Sequence, residues 1–526
     1  MAGNSTGRRG RLFGAAAVAT AAGTLLAACA TSTSAGAASG ARPTLKIAAV
    51  FLPSSLDPAK GIDAVFSFAE TLTQTDDQGQ AVPFLLASAP QQKTATKWLL
   101  TLRPGVTFQD GHAMTAQIVA AAMNREMKLS TEAQSDLPGA LFTASGANQV
   151  TVTTPTQRNL LPYALADRAF AVYDEPVVAA AGSASAALVN KGVFTAPYAI
   201  TSFTEKGMAL TSYDKYWQGT PKLAGVQVTY VANAQTRLAA VESGQVDVAD
   251  GANNPDIVEA VKGRSDVKLN LSDEPLLTLK LYFNPTTGPF TDTSVRHAVA
   301  LALDYSSLAT QYTAGTGSPA DSLLPASLAQ HVTSQSTDTT QAAALLDAAG
   351  WKAAADGTRS KDGKQLALNL LIYNERPVFK PLSIGIKTQL AKIGVTVNII
   401  AQPFSYTMYD NASNWNLALY NDYSISPTGV PDSYMSTYLA AGGSGNHWHI
   451  SDPALDALLA SLNHATSEAH RKTYLAQIQH YVFDYGYLAD VAFVRDGYVV
   501  NKQWSSFAAD AGFQQQEWTW QTAPSS

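Results

Sequence analysis

Along most of its length this chain keeps changing its hydrophobic period. Trp98, Leu100 and Leu102 recur every second residue, the mark of a half-buried strand, and soon afterwards Ile118, Val119 and Ala122 share one face of a helix. The same switch repeats towards the C-terminal end. Helical patterns cover 113–129, 235–243, 294–312, 340–349, 378–393 and 453–485. Strand patterns open at "TLKIAAVFL" (44–52) and continue at 98–102, 149–153, 209–213, 225–231, 278–283, 367–373 and 396–401. Strands and helices so intermingled predict α/β lobes rather than an all-helical or all-β fold. About 480 residues are too many for one core, so two or three lobes are expected.

The N-terminal region has a different character. Arg8, Arg9 and Arg11 precede the alanine-rich apolar run "LFGAAAVATAAGTLLAA" (12–28), too short and too mildly hydrophobic for a spanning helix, so 1–28 reads as an export signal. It ends at Leu26-Ala27-Ala28-Cys29, which resembles a bacterial lipobox and predicts that Cys29 carries lipid. Cys29 is the only cysteine, so no internal disulfide can form. Residues 29–43 are small or polar and predict a flexible tether, whose thirteen residues from 30 to 42 reach roughly 20 Å. The 35 basic residues less Arg8, Arg9 and Arg11 leave 32 against 41 acids, a net charge of −9. That balance argues against a nucleic-acid partner.

One stretch has a grammar of its own. In "TKWLLTLRPGVTFQDGHAMTAQIVAAAM" (96–123) a strand leads through turns at Arg103-Pro104-Gly105 and Gln109-Asp110-Gly111 to a helix capped by Thr115. The segment resembles the signature of the family 5 extracellular solute-binding proteins, which serve peptide and nickel ABC importers. Further matches lie in family order on either side of it: "SSLDPAKG" (54–61) before, and "SYDKYWQGTPKLAGVQVTYVANAQTRLAAVESGQVDVAD" (212–250), "LYFNPTTGPFTDTSVRHAVALALD" (281–304), "AAALLDAAGWK" (342–352) and "QLAKIGVTVNI" (389–399) after. A departure is "GVFTAPY" (192–198), where the family's Gly-Thr-Gly-Pro-Tyr turn loses two glycines.

The resemblance implies an α/β, two-lobed periplasmic-binding-protein-like fold with a hinge and an interlobe ligand cleft. It puts lobe I at 44–274 plus 489–526, lobe II at 275–488, and the crossovers at 278–283 and 491–500. The implied function is capture of a small solute, foremost a short peptide, by a lipid-anchored monomer that delivers it to an ABC permease and ATPase complex. The place is the outer face of the cell membrane, or the periplasm where two membranes exist. A nickel or metal-chelate binder of the same importer class, and a surface receptor without transport, remain alternatives.

No catalytic constellation or cofactor site is legible, so no enzyme is expected. There is no His-Glu-x-x-His, "GTGSP" (315–319) is no phosphate loop, and "GGSGN" (442–446) misses Gly-x-Ser-x-Gly at Asn446. His447 and His449 flank Trp448 with no third ligand near in sequence and read as loop histidines, so no metal site is expected. The stretch 414–436 is rich in rings and acids, as a binding cleft requires. There Trp415, Tyr420 and Tyr423 are candidate walls, and by the resemblance Asp422, preferred over Asp432, holds a ligand's amino group. Arg376 resembles the arginine that some dipeptide binders use for the ligand carboxylate, and Arg168 an arginine of nickel-chelate binders. For each charge the alternative is a surface salt bridge. Phe66 is a candidate aromatic lid, with a place in the core as its alternative.

Overall fold

The computed structural model describes residues 42–60, 67–76, 79–182, 184–275, 277–423, 431–508 and 518–525; the apolar leader, Cys29, the tether before Arg42 and Phe66 lie outside the described residues. Two mixed sheets organise the chain. The first runs Tyr198–Thr204, Gly207–Ser212, Gly225–Tyr230, Thr44–Ala49, Val248–Ala249, Gly497–Asn501 and Val267–Leu271. Its centre is parallel, with Ile47 facing Val228 on one side and Val248 on the other. The second sheet runs Gly317–Pro319, Leu488–Val494, Leu277–Phe283, Leu417–Tyr423, Ala367–Tyr373 and Thr396–Gln402. A four-stranded antiparallel sheet built on Lys97–Thr101 joins the core of the first lobe, with Trp98 opposite Val152.

Each large sheet has its own core. Ile47, Val119, Val226 and Phe108 belong to one, and Leu281, Val299, Leu370 and Ile386 to the other. Two strands of the second sheet, Leu277–Phe283 and Leu488–Val494, are buried along almost their whole length because both of their faces are covered, and their polar interruptions Lys280 and Asp490 pair with each other. The two-lobed α/β architecture expected from the sequence is the architecture present.

Several helices differ in extent from their sequence patterns. The pattern at 294–312 is two helices, Thr293–Leu301 and Tyr305–Tyr312, because Asp304 caps the second by accepting from the Ser307 amide at 2.9 Å. The long pattern at 453–485 divides likewise into Pro453–Asn463 and Glu468–Asp484, the latter capped by Ser467. A side-chain oxygen that satisfies the first free amides starts a new helix at little cost. Thr115 caps Ala116–Leu129 as expected, its hydroxyl accepting from Ile118.

The helix Thr293–Leu301 is locked to its surroundings by Arg296, which is 3 % exposed. Its guanidinium donates to the carbonyls of Phe290, Tyr485 and Gly486, tying the helix to the turn before the strand Leu488–Val494. Replacing Arg296→Leu keeps the volume but leaves those carbonyls without a donor. We expect a loss on the order of 3 kcal/mol, read as a lower urea midpoint with no change in secondary-structure content.

Candidate functional site

The chain passes between the two sheets twice, and the two passages lie side by side. One leaves the strand Val267–Leu271 through residues 272–275 for the strand Leu277–Phe283. The other is Arg495–Asp496, between Leu488–Val494 and Gly497–Asn501. The Ser272 amide donates to the Asp496 carbonyl at 2.8 Å, and the Asp496 amide donates to the Ser272 hydroxyl at 2.9 Å. The sequence placed the return near Ala489. That residue still pairs with Leu281 in the second sheet, which therefore keeps the chain until Val494. Likewise 278–283 belongs wholly to the second sheet, and the outward passage precedes it.

Beside these passages a cavity of about 330 Å³ opens between the lobes, walled by Val50, Arg237 and Asn253 from the first and by Leu279, Arg376 and Asn421 from the second. Arg237, only 3 % exposed, is spent on the wall itself, donating to the carbonyls of Val231, Ala232, Asp250 and Gly251. Arg376 is placed differently. Its charge favours the ionised forms of Tyr373, Asp250 and Asp496. Burial pushes the Asp496 carboxyl up to about 7, with repulsion from Asp250 adding to it. Burial raises Asp250 as well.

Asp422 lies on the strand Leu417–Tyr423 opposite Thr278 and is 8 % exposed. Around it stand Tyr282, Tyr420, Tyr434 and Tyr438; burial raises each phenol first, and the Asp422 charge raises it further. Arg376 favours and Asp422 disfavours ionisation of Tyr373, so both charges act on one ring. Arg168, in the first lobe and 3.6 Å from Glu132, acts with opposite sign to Asp422 on Tyr438. The fold thus brings Asp422 within electrostatic reach of rings shared with both arginines. Asp432 is engaged elsewhere, in a pair with the fully buried Arg471.

The aromatic expectations divide. Tyr420 is 5 % exposed and backs the more open Tyr406, their hydroxyls 3.2 Å apart. Trp415, expected on the cleft wall, is a core residue: it is 1 % exposed and its indole donates to the Tyr409 carbonyl at 3.1 Å. The reason is position, since Trp415 precedes the strand and turns into the second lobe's core. Tyr423 pairs through its backbone with Leu277, and its side chain, like Phe66, lies outside the description. Tyr373, Tyr438 and Arg237 were not singled out from sequence. Both tyrosines lie outside the ring-rich stretch 414–436, and nothing local distinguishes a ring that meets a distant charge.

His447 and His449 do not converge. His449 lies 2.8 Å from the Tyr409 carbonyl, His447 lies near Asp410, and Trp448 between them is fully buried against Tyr282. Among the described residues one group could geometrically hold a metal, Asp110, His112 and Asp174 in the first lobe, with donor atoms within 4.8 Å of one another. Its members already satisfy each other, His112 Nδ1 lying 2.8 Å from Asp174, and the group stands apart from the cleft. Far from the two passages the lobes also touch: Ser433 donates to Asp136, Tyr163 to Glu468, and Asn159 to the Ala465 carbonyl.

Comparison with known proteins places this geometry. The profile described as bacterial extracellular solute-binding proteins, family 5 Middle, matches residues 80–446. The nickel-binding protein NikA of Staphylococcus aureus is 26 % identical over 409 residues, 77 % of this chain and 78 % of that protein. A crystal structure of S. aureus NikA in complex with Ni(L-His)2 superposes with a TM-score of 0.76, covering 92 % of this chain and 100 % of that one at 22 % identity. The probable D,D-dipeptide-binding periplasmic protein DdpA of Escherichia coli is 24 % identical, covering 82 % of this chain and 85 % of that protein. AppA of Bacillus subtilis, solved in complex with a nonapeptide, superposes with a TM-score of 0.70 over 88 % of this chain and 95 % of that one, at 17 % identity.

The raised Asp496 carboxyl sets a pH dependence. Its folded pKa of about 7 exceeds its ordinary 3.8, so its contribution to stability is full below that ordinary value and is lost as pH rises through about 7. Asp496→Asn removes the titration. The difference in unfolding temperature between wild type and variant should shift against the wild type by about 5 °C from pH 4 to pH 8, measured by calorimetry in buffers of equal ionic strength.

Proposed function

The chain belongs to the bacterial extracellular solute-binding proteins of family 5, the substrate-binding components of ABC importers, and from that premise we propose that it captures short peptides. The observation that carries this reading is the opposed pair Asp422 and Arg376, both in the second lobe and both acting on the Tyr373 ring, with Arg376 lining the 330 Å³ cavity and Asp422 next on its strand to the lining residue Asn421. An acid and a base in one lobe suit a zwitterion, with Asp422 taking the ammonium and Arg376 the carboxylate. The cavity is at the small end of ligand pockets, which favours a short chain. DdpA and AppA, named for peptide ligands, lend support from within the family. The paired passages at 272–275 and 495–496 would serve as the hinge, and the lobes would close on the bound solute.

A second reading has its own observation. Arg168 opposes Asp422 at Tyr438 from the other lobe, and NikA of S. aureus binds nickel. On that reading the solute is a metal chelate whose anionic groups face Arg168.

Charged hydrogen bonds in a desolvated site contribute on the order of 2 kcal/mol each, more than tenfold in affinity. Calorimetry on wild type and Asp422→Asn, each with a free-amine dipeptide and its N-acetyl form, gives a double-mutant cycle. The variant should lose more than tenfold for the free amine and little for the acetylated ligand. Additive losses would remove Asp422 from the ammonium site. If no peptide binds and a nickel–histidine chelate loses its binding on Arg168→Ala, the second reading replaces the first.

We also propose that Cys29 is lipidated and anchors the protein to the outer face of the membrane. Support comes from the Leu26-Ala27-Ala28-Cys29 sequence and the small-residue tether behind it. Cys29→Ser should release the protein into the medium or leave an uncut precursor. Unchanged processing and anchoring, followed by fractionation and immunoblotting, would refute the anchor.

A further inference from the structure

A second polar cavity, of about 220 Å³, lies within the first lobe and shares no wall with the interlobe cavity. At its base is Glu70, on the short strand Glu70–Thr71, whose residue exposure is 4 %. The carboxylate accepts from the Tyr216 hydroxyl at 2.6 Å, the Thr195 hydroxyl at 2.7 Å and the Trp217 indole at 3.2 Å. All three donors are neutral, and no Lys, Arg or His among the described residues pairs with this acid. Three donors leave about one lone pair of the carboxylate unused. Burial pushes the carboxyl up, which measures the cost of holding its charge there without a cation.

Ser67 supplies an independent sign. It lines the same cavity and is 2 % exposed, and its hydroxyl has no hydrogen-bond partner. Its φ of 48° is in the left-handed region, where a serine is uncommon, and such conformations cluster at ligand sites. A buried hydroxyl without a partner is normally eliminated or satisfied. The remaining walls include the rings of Phe84, Tyr216 and Trp520. Trp520 comes from the C-terminal strap and rests on Gly219, whose φ of 141° and absent Cβ admit the indole ring. The Lys222 amide fastens that strap by donating to the Trp520 carbonyl at 2.9 Å.

We propose that this cavity is a second binding site, for a small primary ammonium compound. An unpaired buried carboxylate supplies the counter-charge, the Ser67 hydroxyl accepts an ammonium proton, and aromatic faces attract the cation. The volume equals about seven waters, enough for a compact amine and too little for a peptide of several residues. The proposal does not depend on the ligand read for the interlobe cleft.

The test uses the full chain carrying Asp422→Asn, so that the cleft offers no competing anchor for an ammonium group. Ethanolammonium chloride is titrated at constant ionic strength, with KCl and ethylene glycol as comparison solutes, and the unfolding temperature is followed. We expect a saturable rise with ethanolammonium alone, lost in Glu70→Gln, which removes the charge but keeps the shape and one acceptor oxygen for Thr195 and Trp217, its NH2 group then donating to the Tyr216 hydroxyl. Ser67→Ala should shift the saturation midpoint about tenfold higher without lowering the ligand-free unfolding temperature, because the lost hydroxyl has no partner. That variant also keeps the test decisive if Glu70→Gln does not fold. The proposal is overturned by no rise, by an equal rise with KCl or ethylene glycol, or by an ethanolammonium response that both cavity variants retain. A response present in wild type and abolished by Asp422→Asn overturns it too, by assigning the ammonium to the cleft.

Discussion

Two bonds between neighbouring backbone segments govern how this molecule can work. Ser272 and Asp496 join the two passages between the sheets through an amide-to-carbonyl bond and an amide-to-hydroxyl bond. Because the passages lie side by side, the lobes are connected along one edge rather than at two separated points. Rotation about that edge would change the opposite side of the cleft most, where Ser433, Tyr163 and Asn159 span the lobes. The same edge carries Asp496 and faces Asp250, so the connection is also where buried negative charge collects. Arg376 reaches that charge from the second lobe, linking the charge balance of the connection to the contents of the cavity.

The second lobe holds ionisable side chains in its interior, among them Lys280, Asp422 and Asp490. Lys280 and Asp490 are fully buried and 3.2 Å apart on adjacent strands, with the ammonium 4.7 Å from the Tyr434 ring. Burial still pushes Asp490 up to about 6 against the pull of Lys280, and the Asp422 charge adds to the push. Such a pair contributes little net stability, because desolvation offsets most of its attraction. Its effect is to fix the strands Leu277–Phe283 and Leu488–Val494 in one register, with Lys280 opposite Asp490. Asp422 is presented from the strand next to that pair, among rings whose hydroxyls and edges are held by one another.

How much of this could be read from the chain depends on whether the determining contacts are local. The signature segment was legible because its turns and cap are short-range: Gly105 and Gly111 adopt φ of 76° and 95°, and Thr115 caps its own helix. Strand positions followed from apolar period, and the two-lobed architecture from ordered family motifs. The breaks at Asp304 and Ser467 were written as capping residues but lay inside continuous apolar patterns, which hid them. Trp415 was misplaced because an aromatic residue beside a strand end reads alike whether it faces a cleft or a core. Arg237 and Arg296 could not be read at all. A buried arginine is permitted by carbonyls from distant segments, here Asp250 and Gly251 for one and Tyr485 and Gly486 for the other.

The positions of the charges carry a consequence for the order of events on binding. Asp422 and Arg376 belong to the same lobe, so the distance between them is set by the second sheet and is independent of closure. A zwitterion held by that pair would dock on the open second lobe and wait for the first lobe to arrive. Arg168 belongs to the first lobe, so its distance to Asp422 would change with any movement of one lobe against the other. A solute that relied on Arg168 would gain that part of its affinity only on closing, and its binding energy would be spent directly on the closed state. The two readings of the ligand are therefore also two readings of the mechanism: a peptide that is recognised first and enclosed afterwards, or a chelate whose recognition and enclosure are one step.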